Sequence, residues 1–211
     1  MSSFPCPLCS AESQPYFTEK ERLFLKCPVC KAVITHPDNF LTAEAEKARY
    51  ELHENDPENV GYQKFVSPIT SGILNDFSHD QKGLDFGSGT GSPIMKVLKD
   101  NDYDIVEYDL FFHNYPELLR QQYDYIACCE VAEHFKEPHK EFALLRNLLK
   151  PNGKLYLMTE MIDDSKDFAV WYYKKDPTHV FLFHPETFEW IKEEFGFRDL
   201  KIDKRLAVLS L

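Results

Sequence analysis

Apolar positions along this chain change period several times, and the changes outline its elements. From Tyr62 to Phe77, residues Phe65, Ile69 and Ile73 recur at helical spacing, with Pro68 near the start. The pattern then alternates. Leu84 to Phe86 reads as a short buried strand, Pro93 to Leu98 begins a helix, Tyr103 to Tyr108 is a second strand and Tyr125 to Cys129 the next. Residues 140–149 predict a helix with Phe142, Leu145 and Leu149 on one face, and Pro151-Asn152-Gly153 turns into a strand from Leu155 to Met158. A helix over 186–195 ends at Gly196, a residue suited to the position after a helix C-terminus. Residues 197–202 and 205–209 predict a closing hairpin around Asp203-Lys204. Alternating strands and helices predict an α/β domain on a doubly wound, mostly parallel sheet.

The first 80 residues read differently. Cys6-Pro7-Leu8-Cys9 and Cys27-Pro28-Val29-Cys30 are separated by 17 residues, a zinc-site spacing. Four thiolates close a tetrahedral ion with no open position, which implies a structural metal. A disulfide framework is the competing reading; the chain shows no secretion-signal pattern and has the length to build its own core. Cys128 and Cys129 sit in an apolar run and read as buried small hydrophobes. Residues 1–40 thus predict a zinc ribbon with a short hairpin (Tyr16-Phe17, then Leu23-Phe24-Leu25). Residues 41–80 predict a helical connector or lid, with a helix over 42–54 broken by Asn55-Asp56-Pro57. The remaining 81–211 form the α/β core.

The densest signal is Leu84-Asp85-Phe86-Gly87-Ser88-Gly89-Thr90-Gly91, a strand running into a glycine-rich turn. Ser92 suits an N-cap and Pro93 the first helical position, so a helix starts there. Strand, glycine turn and helix N-terminus make a nucleotide site. Asp109, 22 residues after Gly87, has the spacing of a carboxylate that binds ribose hydroxyls. Ser92 departs from the dinucleotide fingerprint, and Asp85 before the turn would repel a pyrophosphate but attract an ammonium group.

With that motif, Glu107-Tyr108-Asp109, Tyr123-Asp124-Tyr125-Ile126, Glu130-Val131-Ala132-Glu133-His134 and Leu148 to Leu155, residues 83 to about 200 resemble class I S-adenosylmethionine (SAM) dependent methyltransferases. The whole chain, cysteine pairs included, resembles a bacterial group of zinc-ribbon methyltransferases. The resemblance puts Asp85, Phe86, Gly87, Ser88, Gly89, Thr90, Gly91, Asp109, Leu110 and Glu130 on the SAM cofactor. Only 13 residues separate Asp109 from Tyr123, too few for a helix and a third strand, so strand 3 should be missing or reduced. Adenine recognition then falls to residues 110–121, where Phe111 or Phe112 could serve, packing being the plainer role for both.

Glu130, Glu133 and His134 follow the strand whose end faces the cofactor crevice, at spacings that share one face of a helical turn. Three readings stand open. The cluster with His179 binds a divalent ion such as Mg²⁺ or Mn²⁺; or His134 alone is a base near the methyl group; or all are structural. The same E-x-x-E-H pattern is a magnesium site in ubiquinone-biosynthesis O-methyltransferases and small-RNA 2′-O-methyltransferases, which this segment resembles. Trp171-Tyr172-Tyr173 could wall a substrate pocket or simply pack, Tyr50, His53 and Tyr62 could cover SAM, and Asp163-Asp164…Asp167 reads as a solvated loop.

Composition narrows the partners. Of 211 residues 43% are hydrophobic, enough for a core, and the net charge of −11 disfavours nucleic acid and anionic membranes. No apolar run approaches a membrane span, so a cytoplasmic location is expected. The expected function is SAM-dependent methyl transfer to an unidentified acceptor, through oxygen. The alternatives are a metal-assisted RNA ribose methyltransferase and a non-catalytic SAM-binding module with protein contacts through the zinc ribbon.

Overall fold

The structure, a computed structural model, describes residues 3–52 and 55–211. The N-terminal segment forms antiparallel strands β1 (Phe4–Pro5), β2 (Glu12–Glu19), β3 (Arg22–Lys26) and β4 (Val33–Thr35), the expected hairpin being β2–β3. Both cysteine pairs adopt one knuckle. Cys6 N–H donates to Ala11 O at 2.8 Å and Cys27 N–H to Ala32 O at 2.9 Å. The residue after each second cysteine, Ser10 and Lys31, takes a positive φ of 62° and 63°. That reversal turns both pairs toward one point.

Helix α1 (Ala43–Tyr50) starts on the Thr42 side-chain cap and is shorter than the predicted 42–54. His53, expected in a cover over the cofactor, lies outside the described residues. Helix α2 (Val60–Asp76) carries Pro68 in its interior, not near its start. The proline removes the donor for Lys64 O, and Ser67 Oγ donates to that carbonyl instead at 2.8 Å.

The core follows as β5 (Lys82–Phe86), α3 (Pro93–Asp100), β6 (Asp104–Tyr108), β7 (Tyr123–Cys129), α4 (Pro138–Leu148), β8 (Leu149–Met158), β9 (Phe181–Leu182), α5 (Pro185–Phe195), β10 (Asp199–Asp203) and β11 (Leu206–Ser210). Six strands make one sheet in the order β10-β11-β8-β7-β5-β6. Four are parallel, and the closing hairpin is antiparallel. Among the described residues no strand is added beyond β6, as the short spacing predicts; residues 110–122 hold a single antiparallel bridge of His113 to Asp109 and a 3-10 turn, Pro116–Arg120. The largest boundary difference from the sequence expectation in the core lies in β8. β8 begins at Leu149, before the expected turn, because Asn152 absorbs the irregularity at φ 65° as the register against β7 shifts.

Alternation in β7 sorts the two faces. Tyr125 and Ala127 pack with Val66, Ile69 and Ile73 of α2 and Ile94 and Leu98 of α3. Ile126 and Cys128 pack with Phe142 and Leu145 of α4 and Phe188 and Ile191 of α5. The expected division at residue 40 does not divide the packing. β9, from the long connection after β8, joins the edge of β4 with Ile34 opposite Phe181, and completes the ribbon's sheet. Cys6, Leu8, Cys27 and Cys30 share an apolar cluster with Phe181, Phe183 and Phe188. Trp171 also packs on the ribbon, with Phe24, Val33 and Phe168, so it is core and not a pocket wall.

Candidate active site

At the carboxyl end of β5 the chain turns through Gly87 (φ 80°) and Gly89 (φ 66°). A Cβ on Gly87 would come within 2.4 Å of Val131 Cγ2, so only glycine fits. Ser92 caps α3, accepting from Met95 N at 3.0 Å, and its Oγ donates to the buried Asp85 carboxylate. Burial pushes the Asp85 carboxyl up to about 7 against that hydrogen bond, with Glu107 and Asp109 adding to the rise. Asp109 braces the turn: one oxygen accepts from Gly89 N at 2.9 Å, the other from Phe111 N at 2.8 Å and Phe112 N at 3.1 Å. Leu110 is exposed, while Phe111 and Phe112 are half-buried, Phe111 beside Tyr50.

Tyr62, Val66, Asp85, Gly87, Ser88, Ser92 and Cys129 line a cavity of about 20 Å³ here. Residues 55–57 sit against the turn: Asn55 O lies 2.4 Å, and Pro57 Cγ 3.2 Å, from where a Cβ on Gly91 would be. The space holds about one water.

Beyond β7, Glu130 takes φ 54° and residues 132–134 form a 3-10 turn in place of the expected α-helical one. This separates the predicted four-residue cluster. Glu130 turns away to accept from Arg205 Nη2 at 2.8 Å on both oxygens. Glu133, His134 and His179 stay together, their ligand atoms all within 4.8 Å of one another. His179 Nε2 lies 4.0 Å from Glu133 Oε1, and the two imidazole centroids are 5.0 Å apart. Thr159 Oγ1 donates to the fully buried Glu133 at 3.0 Å and Tyr173 OH donates to it as well. Burial, together with Glu133 in the case of Glu130, raises both carboxyls.

Each imidazole is oriented by a backbone carbonyl: His134 Nδ1 lies 3.0 Å from Thr178 O and His179 Nδ1 2.7 Å from Tyr173 O. Those contacts require Nδ1–H and leave each Nε2 a lone pair. Burial holds both rings below the usual histidine range; His179 falls to about 3, the neighbouring His134 contributing. Tyr50 stacks edge-on against His134 at 5.3 Å, and α1 is fastened there by Arg49–Asp176 at 2.6 Å and Lys136–Glu46 at 2.8 Å. Sequence reasoning missed Thr159, Arg205 and the hydroxyl of Tyr173. Only Tyr173 carried a signal, as part of an aromatic run in a long connection.

The four N-terminal cysteines form the other metal-competent group. Cys6 Sγ lies 3.6 Å from Cys30 Sγ and Cys9 Sγ 3.3 Å from Cys27 Sγ. A tetrahedron with metal–sulfur bonds of ~2.3 Å has edges of ~3.8 Å, so the set fits such an ion, and all four thiols are unpaired as disulfides.

Sheet order, glycine turn and paired acidic residues define a class I methyltransferase-like α/β fold. The chain belongs to the methyltransferase-domain family, whose model matches residues 47–202. It is similar in structure to a SAM-dependent methyltransferase from Archaeoglobus fulgidus, at 17% identity over 71% of this chain and 94% of that one, TM-score 0.56. It is also similar to the 1,6-didemethyltoxoflavin-N1-methyltransferase of Burkholderia thailandensis, at 14% identity over 93% and 97%, TM-score 0.54. An O-methyltransferase family protein from Burkholderia thailandensis matches at 12% identity and TM-score 0.53 over 78% of this chain, which spans 61% of that protein's length. No curated protein matches in sequence.

Proposed function

We propose that this protein transfers the methyl group of SAM to an oxygen of its acceptor, with a divalent ion held by Glu133, His134 and His179 and a structural zinc held by Cys6, Cys9, Cys27 and Cys30. SAM would bring an activated methyl on sulfur, and the ion would lower the pKa of an acceptor hydroxyl. Asp85 would take the ammonium of SAM and Asp109 its ribose, over the Gly87–Gly91 turn. Glu130 stays out of the metal set: Arg205 holds it, and it supports Tyr173, whose hydroxyl lies 3.3 Å away. α1, with Tyr50 on His134, would close the site to water.

The observation that carries the reading is the convergence of one buried carboxylate and two imidazoles, each ring already oriented by a backbone carbonyl at Nδ1. One carboxylate and two imidazoles suit a borderline divalent transition ion, of which Mn²⁺ is the probe that also accepts oxygen ligands; imidazole is a poor ligand for Mg²⁺. The ligand atoms lie within 4.8 Å of one another, against twice a ligand distance of ~2.1 Å, so the trio needs to draw in by at most about 1 Å. The test is calorimetry of the zinc-loaded chain with SAM and, separately, with Mn²⁺. Both should bind. His179→Ala and Glu133→Gln should lose Mn²⁺ affinity at least tenfold while holding SAM within about twofold. Wild-type protein that binds SAM and ignores Mn²⁺ would remove the ion from this site.

A further inference from the structure

The ribbon reaches the candidate site through one side chain. Arg22, at the start of β3, is surrounded by the backbone of residues 174–179. Its Nη1 donates to Lys174 O at 2.7 Å and Asp176 O at 2.8 Å; its Nη2 donates to Thr35 Oγ1 at 3.0 Å and to His179 O. Thr35 Oγ1 in turn donates to His179 O at 3.2 Å, and Thr35 N–H to Val180 O at 2.9 Å. Val180 N–H donates to Glu133 O at 2.8 Å. One guanidinium therefore binds three carbonyls of the loop that holds His179, and that loop supplies Tyr173 O and Thr178 O to both imidazoles. Arg22 is itself held, over the Phe24 ring at 4.9 Å.

We propose that Arg22 is a positioning residue for the methyl-transfer site: by fixing the 174–179 backbone it sets the tautomer and aim of His179. The inference rests on reading Glu133, His134 and His179 as the working site. A fork of two nitrogens is needed because Nη1 takes the carbonyls of Lys174 and Asp176 while Nη2 takes His179 O and Thr35 Oγ1, and the single ammonium of a lysine has no second nitrogen for the latter pair. The cysteine ribbon on this view is part of the site's frame, since β3 and β4 carry Arg22 and Thr35 to it.

The experiment uses the full zinc-loaded chain, Arg22→Gln, Arg22→Lys and Thr35→Val. Ring ¹⁵N correlation spectra of His179 report the tautomer, and Mn²⁺ titration reports the site. Zinc content and SAM affinity serve as controls. Wild type should show a single Nδ1–H tautomer. Arg22→Gln should mix tautomers and weaken Mn²⁺ tenfold or more, with zinc retained and SAM within about twofold. Arg22→Lys should recover only part of this, and Thr35→Val should move the same signals less. If Arg22→Gln fails to fold, the other two variants decide. Unaltered His179 signals and Mn²⁺ affinity in the folded Arg22 variants, or in Arg22→Lys and Thr35→Val together, would overturn the proposal. Loss of Mn²⁺ binding from wild type would defeat the metal reading alone, leaving the tautomer to decide the role of Arg22.

Discussion

Asp85 gives the sharpest handle on cofactor binding. It is 3% exposed, and burial raises its carboxyl from 3.8 to about 7. A shift of roughly three units corresponds to about 4 kcal/mol against the charged form. Its folded pKa lies above its unfolded one, so between roughly pH 4 and 7 the native state binds the extra proton. The free protein therefore loses stability as pH rises through that window. A cation beside Asp85 reverses the preference and expels the proton. SAM affinity should then rise nearly tenfold per pH unit below 7, about 50-fold from pH 5 to 7. The α-amino group of SAM, with an ordinary pKa of roughly 7.7–8.0, stays protonated over this range. Calorimetry in two buffers of different ionisation enthalpy should find close to one proton released at pH 5 and about half at pH 7. Asp85→Asn should abolish the release and flatten the profile. Affinity that is level from pH 5 to 7, with no proton released, would show that Asp85 does not meet the ammonium.

Two further outcomes follow from the packing. The purified chain should contain one zinc, and chelating it should speed amide exchange in residues 174–183 as well as in the ribbon while β5 and β7 stay protected; exchange confined to residues 3–35 would contradict the shared core. Phe183, fully buried and stacked on Phe188 at 4.9 Å, should cost about 3–5 kcal/mol when truncated to alanine, measured by urea unfolding, and a loss under about 1 kcal/mol would refute its place in that core.

The core was legible because its signals are local. Gly87, Ser92 and Gly196 act within a few residues of themselves, through positive φ or a cap, and the short gap before Tyr123 forecast the missing strand. The E-x-x-E-H spacing predicts Glu130, Glu133 and His134 on one face, and the structure keeps only the last two together, with His179. That expectation assumes helical geometry, and the left-handed φ of Glu130 sends that side chain to Arg205, a partner 75 positions away. The role of Arg22 was invisible for the same reason: its carbonyl partners belong to residues 174–179, and a carbonyl leaves no mark in side-chain chemistry. Trp171 and Tyr173 could not be told apart in sequence. Only the packing of Phe168 and Phe24 beside them sends one into the ribbon and the other's hydroxyl toward Glu133.

The strand pairing of Ile34 with Phe181 also dictates an order of assembly. During synthesis β4 emerges early, yet its neighbour is made only after most of the chain has left the ribosome. Such a contact forms late and slows folding. Until then the edge of β4 offers unpaired N–H and C=O groups to any passing strand. An ion clamping the knuckles at this stage would hold the early hairpin in register for its late partner. The same dependence runs the other way in a truncated protein. Without the first 40 residues, β9 would present Phe181 and Leu182, both fully buried in the intact chain, as a bare apolar edge prone to self-association.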